Sequence, residues 1–149
     1  MNIYALIIGI AIVAYVIIRF KKTRLERTKW AYPLFLATFP VYYFVFAIYA
    51  KDFPALGKEV AVSLVFFSLA FMAYRSKRKT SALIVGLGSI FHAVYDAYHD
   101  ILFVNSGTPN WWLEFCGSID IIIGVYLIYF AFKVPNKALK QDAQTARAS

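Results

Sequence analysis

The chain has 149 residues, is 61% hydrophobic and carries a net charge of +8, and its mean hydropathy is +0.62. A soluble domain of this size leaves much of its surface wet and has no means of hiding so much apolar side chain, which excludes a water-soluble globular fold. The single cysteine, Cys116, excludes an intrachain disulfide and any paired-cysteine metal motif.

Apolar runs of roughly 17–25 residues mark membrane helices. In chain order the sequence offers Asn2–Ile18, Tyr32–Ala50, Val60–Tyr74, Ser81–Val104 and Trp111–Phe132. The expected fold is an all-α integral membrane protein, a bundle of five transmembrane helices forming one domain over residues 1–133. Residues 134–149, rich in Lys, Gln, Ala and Thr, lack an apolar face and are expected as a flexible cytoplasmic tail. The basic cluster follows the first apolar run instead of preceding it, the reverse of a secretory signal, so this span is expected to be retained. Pro40 inside the second span is expected to bend it. The third span is short as drawn and must borrow residues from its flanks, after the breaker cluster Lys51-Asp52-Phe53-Pro54. Asn105–Asn110, with Gly107 and Pro109, separates the last two spans, and there is no internal repeat.

Charge sets the orientation. Arg19, Lys21, Lys22, Arg24, Arg27 and Lys29 follow span one; Arg75, Lys77, Arg78 and Lys79 follow span three; Lys133, Lys137, Lys140 and Arg147 follow span five. The other side has only Lys51 and Lys58, offset by Asp52 and Glu59. Basic residues collect on the cytoplasmic side, so the amino terminus is expected outside and the carboxyl terminus inside. This rule explains the basic clusters without a nucleic-acid partner, and none is expected. The expected partners are the lipid bilayer, anionic headgroups at the cytoplasmic face, and a second copy or another membrane protein. The expected location is a cell membrane, the bacterial inner membrane in particular.

The fourth span carries both histidines of the chain and two of its eight acids: His92, Asp96, His99 and Asp100. A charged group in hydrocarbon costs at least ~2.5–3.5 kcal/mol at mid-helix, so such residues face a bundle interior, a partner or water. At about 100° per residue, with His92 at zero, Asp96 falls near 40°, His99 near −20° and Asp100 near 80°, one stripe on one face. Ala82, Gly86, Ser89, Ala93 and Ala97 flank it, small residues of the kind that let helices approach closely.

The fifth span supplies Glu114, Cys116 and Asp120, after a Trp111-Trp112 pair expected at the outer interface. At a rise of ~1.5 Å per residue, Asp120 lies at the level of His92 and Asp96, and Glu114 at that of His99 and Asp100. Glu114 and Asp120 are about 120° apart on an ideal helix, so both reach one cavity only if it is wide or the helix deforms near Gly117. Tyr42, Tyr43, Tyr49, Tyr95 and Tyr98 lie at similar depth and read first as an aromatic belt, second as a cavity wall. Cys116 reads first as a small packing residue.

Three chemistries fit these residue types. The first is an outward-facing buried site that binds a metal ion or small molecule: His92, Asp96, His99, Asp100, Asp120 and Glu114 are candidate ligands for a divalent metal such as zinc, since His and carboxylate at i, i+4 and i, i+7 point the same way. Two histidines are too few for a di-iron oxygenase of the desaturase type. Asp96, Asp120 and His92 are, in second place, candidates for acid/base catalysis on a lipid-like substrate, the paired carboxylates holding a proton in an apolar pocket. A structural role, with His–Asp bonds joining the last two helices or a partner, is the third; such bonds average only about 0.6 kcal/mol in membranes, poor compensation for four ionisable groups. A proton path through the bundle is disfavoured, because the ionisable residues stop near mid-span.

Overall fold

The computed structural model describes residues 1–133, so the expected tail at 134–149 lies outside the described residues. The elements are α1 (Ile3–Lys22), a single 3-10 turn at Leu25–Arg27, α2 (Ala31–Tyr49), α3 (Phe53–Arg75), α4 (Arg78–Leu102) and α5 (Trp112–Lys133). All five α-helices are long and apolar enough to cross a membrane, and no strand occurs among the described residues.

The largest difference from the sequence expectation is the start of α3. The helix begins at Phe53, well before Val60, because the supposed breaker is its cap. Asp52 accepts from the Ala55 amide at 3.1 Å and Pro54 occupies the first turn, where its missing N–H costs nothing. The preceding turn is equally tight. Lys51 adopts the left-handed conformation at φ 57°, while the Asp52 and Lys51 amides close back onto Ala47 and Ile48 carbonyls at 2.8 and 3.1 Å. That is a helix-ending motif that usually takes glycine. α2 runs unbroken through Pro40, which is buried among neighbouring helices.

α4 and α5 share the most extensive interface; α1 packs on α5, α2 on α3, α3 on α4, and α2 closes across to α4. Glycine makes the α4–α5 contact possible. A Cβ at Gly86 would lie 2.9 Å from the Gly124 carbonyl oxygen, and one at Gly124 would lie 2.9 Å from that of Gly86. Only hydrogens fit at this crossing, as small-residue helix packing requires. Toward the end carrying Lys22, Arg75 and Arg78 (the basic end), the interior is filled by Leu36, Phe66, Val85, Ile123 and Leu127, each 0% exposed. Toward the opposite end the interior turns polar.

Candidate metal centre

The four side chains that meet at the centre are His92 and Asp96 from α4, and Cys116 and Asp120 from α5. They are 0%, 6%, 3% and 0% exposed. His92 and Asp96 stand one turn apart on α4, as do Cys116 and Asp120 on α5, so each helix contributes an i, i+4 pair to its shared face. The glycine crossing brings those faces close enough for two short acids to meet across the interface. His92 Nδ1 lies 2.7 Å from Asp120 Oδ2 and 3.4 Å from Asp96 Oδ1. Cys116 Sγ lies 3.9 Å from Asp120 Oδ2. One ligand atom from each residue can be chosen so that all four fall within 4.8 Å of one another.

The bonding around this group is incomplete. Tyr43 donates its hydroxyl to Asp96 Oδ1 at 2.7 Å, and Phe66 stands edge-to-face against the imidazole with ring centroids 4.7 Å apart. Yet Asp96 Oδ2, Asp120 Oδ1 and His92 Nε2 are buried without a hydrogen-bond partner. Two carboxylates share one imidazole in a place where a lone ion costs several kcal/mol in effective terms. A divalent cation would neutralise both at once.

The donor set suits such an ion. Zinc bonds of about 2.0–2.3 Å imply ligand–ligand edges of roughly 3.3–3.8 Å. Of the six ligand–ligand edges, three are 2.7, 3.4 and 3.9 Å and none exceeds 4.8 Å, so small side-chain shifts, including opening of the His92–Asp120 hydrogen bond, bring the four into that range. A mixed nitrogen, oxygen and sulfur set favours zinc-like ions over magnesium or calcium.

Comparison with known protein families, curated proteins and solved structures finds no match. The chemistry of the site therefore rests on geometry alone.

A second polar network lies two helical turns farther from the basic end, and it is closed. Glu59, 2% exposed, accepts from Tyr95 at 2.7 Å and from Asn105 at 3.0 Å, and it lies 2.8 Å from His99 Nε2. Asn105 also donates to the Tyr43 carbonyl at 3.2 Å, and the Tyr43 ring stacks on His99 at 4.5 Å. Asp52 fastens the same connection from the surface, accepting from the Ser106 amide at 3.3 Å and hydroxyl at 3.0 Å. The Ala55 amide at the helix cap, and then these two Ser106 donors, hold the Asp52 carboxyl below its ordinary value of 3.8. Gly107 completes the clamp, because a Cβ there would run into the Phe46 backbone carbonyl.

The structure thus divides the six expected ligands. His92, Asp96 and Asp120 come together with Cys116, which the sequence reading took for a packing residue. His99 keeps the stripe's direction but meets α3, where Glu59 holds it. Asp100 touches His99 Nδ1 at 3.2 Å with a side chain 84% exposed. Glu114 turns away from the centre, accepting from the Asn2 amide at 2.9 Å; its angular offset from Asp120 decides this. Tyr43 and Tyr95 are buried hydrogen-bond donors to acids, whereas Tyr42, Tyr49 and Tyr98 are exposed. Trp112, expected at the interface with Trp111, is 4% exposed and packs on Phe46.

Glu59 is the buried acid that sequence reasoning missed. The Asp52 cap with Pro54 in the next turn was the available signal, since together they place Glu59 well inside a helix.

Between the two networks a cavity of about 130 Å³ opens at the end away from the basic residues. Its walls include Tyr43, Asp96, His99, Asp100, Asn110 and Glu114.

Proposed function

We propose that this protein is a five-span membrane protein, amino terminus outside, that binds a divalent transition-metal ion of the zinc class at His92, Asp96, Cys116 and Asp120. The observation that carries the reading is the pair of buried carboxylates sharing one imidazole, each retaining an oxygen with no protein partner. A purely structural cluster of this kind would leave desolvated acceptors unmet, at about 1–3 kcal/mol each or more when charged. The neighbouring Glu59 network supports the contrast, since both oxygens of that carboxylate are bonded.

Metal analysis of detergent-purified protein tests this. Zinc retained in stoichiometric amount by the wild type and lost on His92→Ala or Asp96→Asn is the expected result. Equal metal content in all three proteins would overturn the assignment.

Orientation follows from the basic residues at one end. A reporter active only outside the cytoplasm is expected to work when fused after Gly107 and to be silent at Lys137. The anionic headgroups of the inner leaflet are the proposed contacts of that basic end.

One observation favours a catalytic use of the same ion. Cys116 Sγ is the outlying donor at 3.9 Å from Asp120, and three ligands without it leave zinc an open position for water. Activation of a water molecule for hydrolysis is the reaction class that an open zinc position supports.

A further inference from the structure

We infer that the buried centre exchanges its ion with the aqueous phase on one side only, taking a partly hydrated divalent cation through the acidic cavity between α4, α5 and the 103–111 connection, and is a dead end toward the basic end. This rests on the metal reading above and adds the ligand's form, its entrance and the absence of a through-path.

The cavity gives the size of what enters. Its roughly 130 Å³ accommodates several waters. That suits an ion with part of its hydration shell. The wall gives the sign. Asp96, Asp100 and Glu114 all border this space; Glu114 is paired with the Met1 ammonium at 3.7 Å, which leaves Asp96 and Asp100 as the uncompensated acids that concentrate a cation in the cleft. Glu114 Oε2 and Asp96 Oδ2 are both buried acceptors without a partner. Asp96 belongs to both the cavity and the metal cluster. An ion reaching it has only to shed its remaining water to meet His92 and Asp120.

Nothing comparable exists in the other direction. Phe39 and Phe66 rings pack on the His92 imidazole at 5.3 and 4.7 Å. Beyond them Leu36, Val85, Ile123 and Leu127 are 0% exposed. Ser89, at 0% exposure, spends its hydroxyl on the Val85 carbonyl at 3.0 Å. No Asp, Glu, His, Lys or Arg occurs at 31–50, 60–74, 80–91 or 121–132. A divalent ion would have to give up all its water with no ligand in return. The roof on the open side is fixed, because Asn105, Ser106 and Gly107 are each clamped to α2, α3 or the turn between them. Exchange therefore proceeds past Asn110 and Asp100, without the roof lifting.

Sidedness of metal loss tests the inference on the intact chain. Zinc-loaded protein is placed at low density in neutral phosphatidylcholine vesicles, which are then sorted by capture on a carboxyl-terminal tag. The membrane-impermeant chelator EDTA is added outside. Vesicles with the tag inside, and so with the 103–111 connection outside, are expected to lose zinc at least tenfold faster than captured ones. Equal rates, or faster loss from the captured vesicles, would overturn the inference. So would retention by both populations when the same chelator strips the protein in detergent. Protein that holds no zinc even in detergent sinks the metal reading itself, an outcome distinct from these. In a second arm, Ala97→Phe narrows the cavity wall and is expected to slow stripping at least tenfold with equilibrium zinc content unchanged. Asn110→Trp at the exposed rim serves if Ala97→Phe does not fold. An unchanged stripping rate in a folded, zinc-loaded variant contradicts the proposed port.

Discussion

Replacing Asp120 by Asn separates a metal ligand from helix glue, because the two roles predict different signs in two conditions. Without metal, the amide oxygen still accepts from His92, in place of a carboxylate bond of 2.7 Å. A charge-assisted bond of about 1.5–3 kcal/mol becomes a neutral one of about 1 kcal/mol. Against that loss, one of two carboxylates crowding a single imidazole is gone, which relieves like-charge repulsion. The ion-free change is therefore expected within about 1 kcal/mol of zero. With zinc the balance is one-sided. Loss of an anionic ligand is set at about 100-fold in affinity, the upper end of what outer-shell partners alone cost. At free zinc 1,000 times the wild-type Kd, binding stabilises the wild type by about 4.1 kcal/mol and the variant by about 1.4 kcal/mol. The difference, roughly 2.7 kcal/mol, corresponds to about 5–11 °C of lost zinc-induced rise in Tm at 2–4 °C per kcal/mol. Thermal unfolding in detergent, with chelator and then with zinc held at that activity, reads both terms. A variant that keeps the full zinc-induced rise refutes the ligand assignment. Losing more than about 3 kcal/mol without metal, in a protein insensitive to zinc, would identify Asp120 as a broken structural ion pair.

Three further outcomes follow from the surrounding packing. Glu59→Gln exchanges a charged acceptor for an amide whose NH₂ must face His99, Asn105 or Tyr95, and should cost about 2–3 kcal/mol of stability; zinc affinity measured by titration should stay within about threefold, since Glu59 contacts none of the four ligands. Gly107→Val should destabilise strongly and expose the 103–111 connection to proteolysis, because the backbone of α2 occupies the space; a variant as protease-resistant as the wild type would contradict the clamp. Asp52 has a folded-state pKa below its ordinary 3.8, so its stabilising contribution is complete above that value and is lost as pH falls through the depressed one. Hydrogen exchange at the Ser106 amide should hold its protection from neutrality to near pH 4 and lose it only below, whereas Asp52→Asn should abolish that dependence.

How much of this was legible in the sequence follows from the range of each interaction. The five helices were, because hydropathy over a membrane-length window is a local property. The His92–Asp96 pairing was, because helical periodicity fixes which residues share a face. Asp120 was reachable by depth matching, since antiparallel helices joined by a short connection have a nearly determined register. The partner of His99 was not. His99 shares the stripe's direction, but two turns along the helix the neighbour changes from α5 to α3, and only packing angles between helices decide that. Glu59 was hidden for a related reason. Beside Lys58 and near the end of an apolar run it reads as one of a pair of surface charges, whereas the structure buries it and leaves Lys58 over the Phe103 ring. Cys116 stands at i, i+4 from Asp120, so periodicity had already put it on the ligand face. The general tendency of lone cysteines to act as packing residues outweighed that geometry.

The two polar networks carry the same residue types at nearly the same burial, so neither composition nor depth tells glue from site. Completeness does. Around Glu59 every carboxylate oxygen is matched by a donor from a different element: Tyr95 and His99 on α4, and Asn105 in the connection. The network thus ties α3 and α4 to the roof and has no unmet bonding capacity. Around Asp96 and Asp120 the count fails by three atoms. Tyr43 already serves Asp96 and can serve only one oxygen. A bundle with four inward-facing aromatic rings at hand could have filled this space with hydrocarbon, which often matches or exceeds a buried ion pair in stability. Retaining two acids, one imidazole and one thiol there, and leaving them short of hydrogen bonds, makes physical sense when a further positive centre completes them. Of the four clustered side chains, Asp96 alone also borders the cavity; Tyr43, which borders it too, is committed to Asp96 by its hydroxyl. Asp96 is therefore where the chemistry of any bound ion meets whatever arrives from outside.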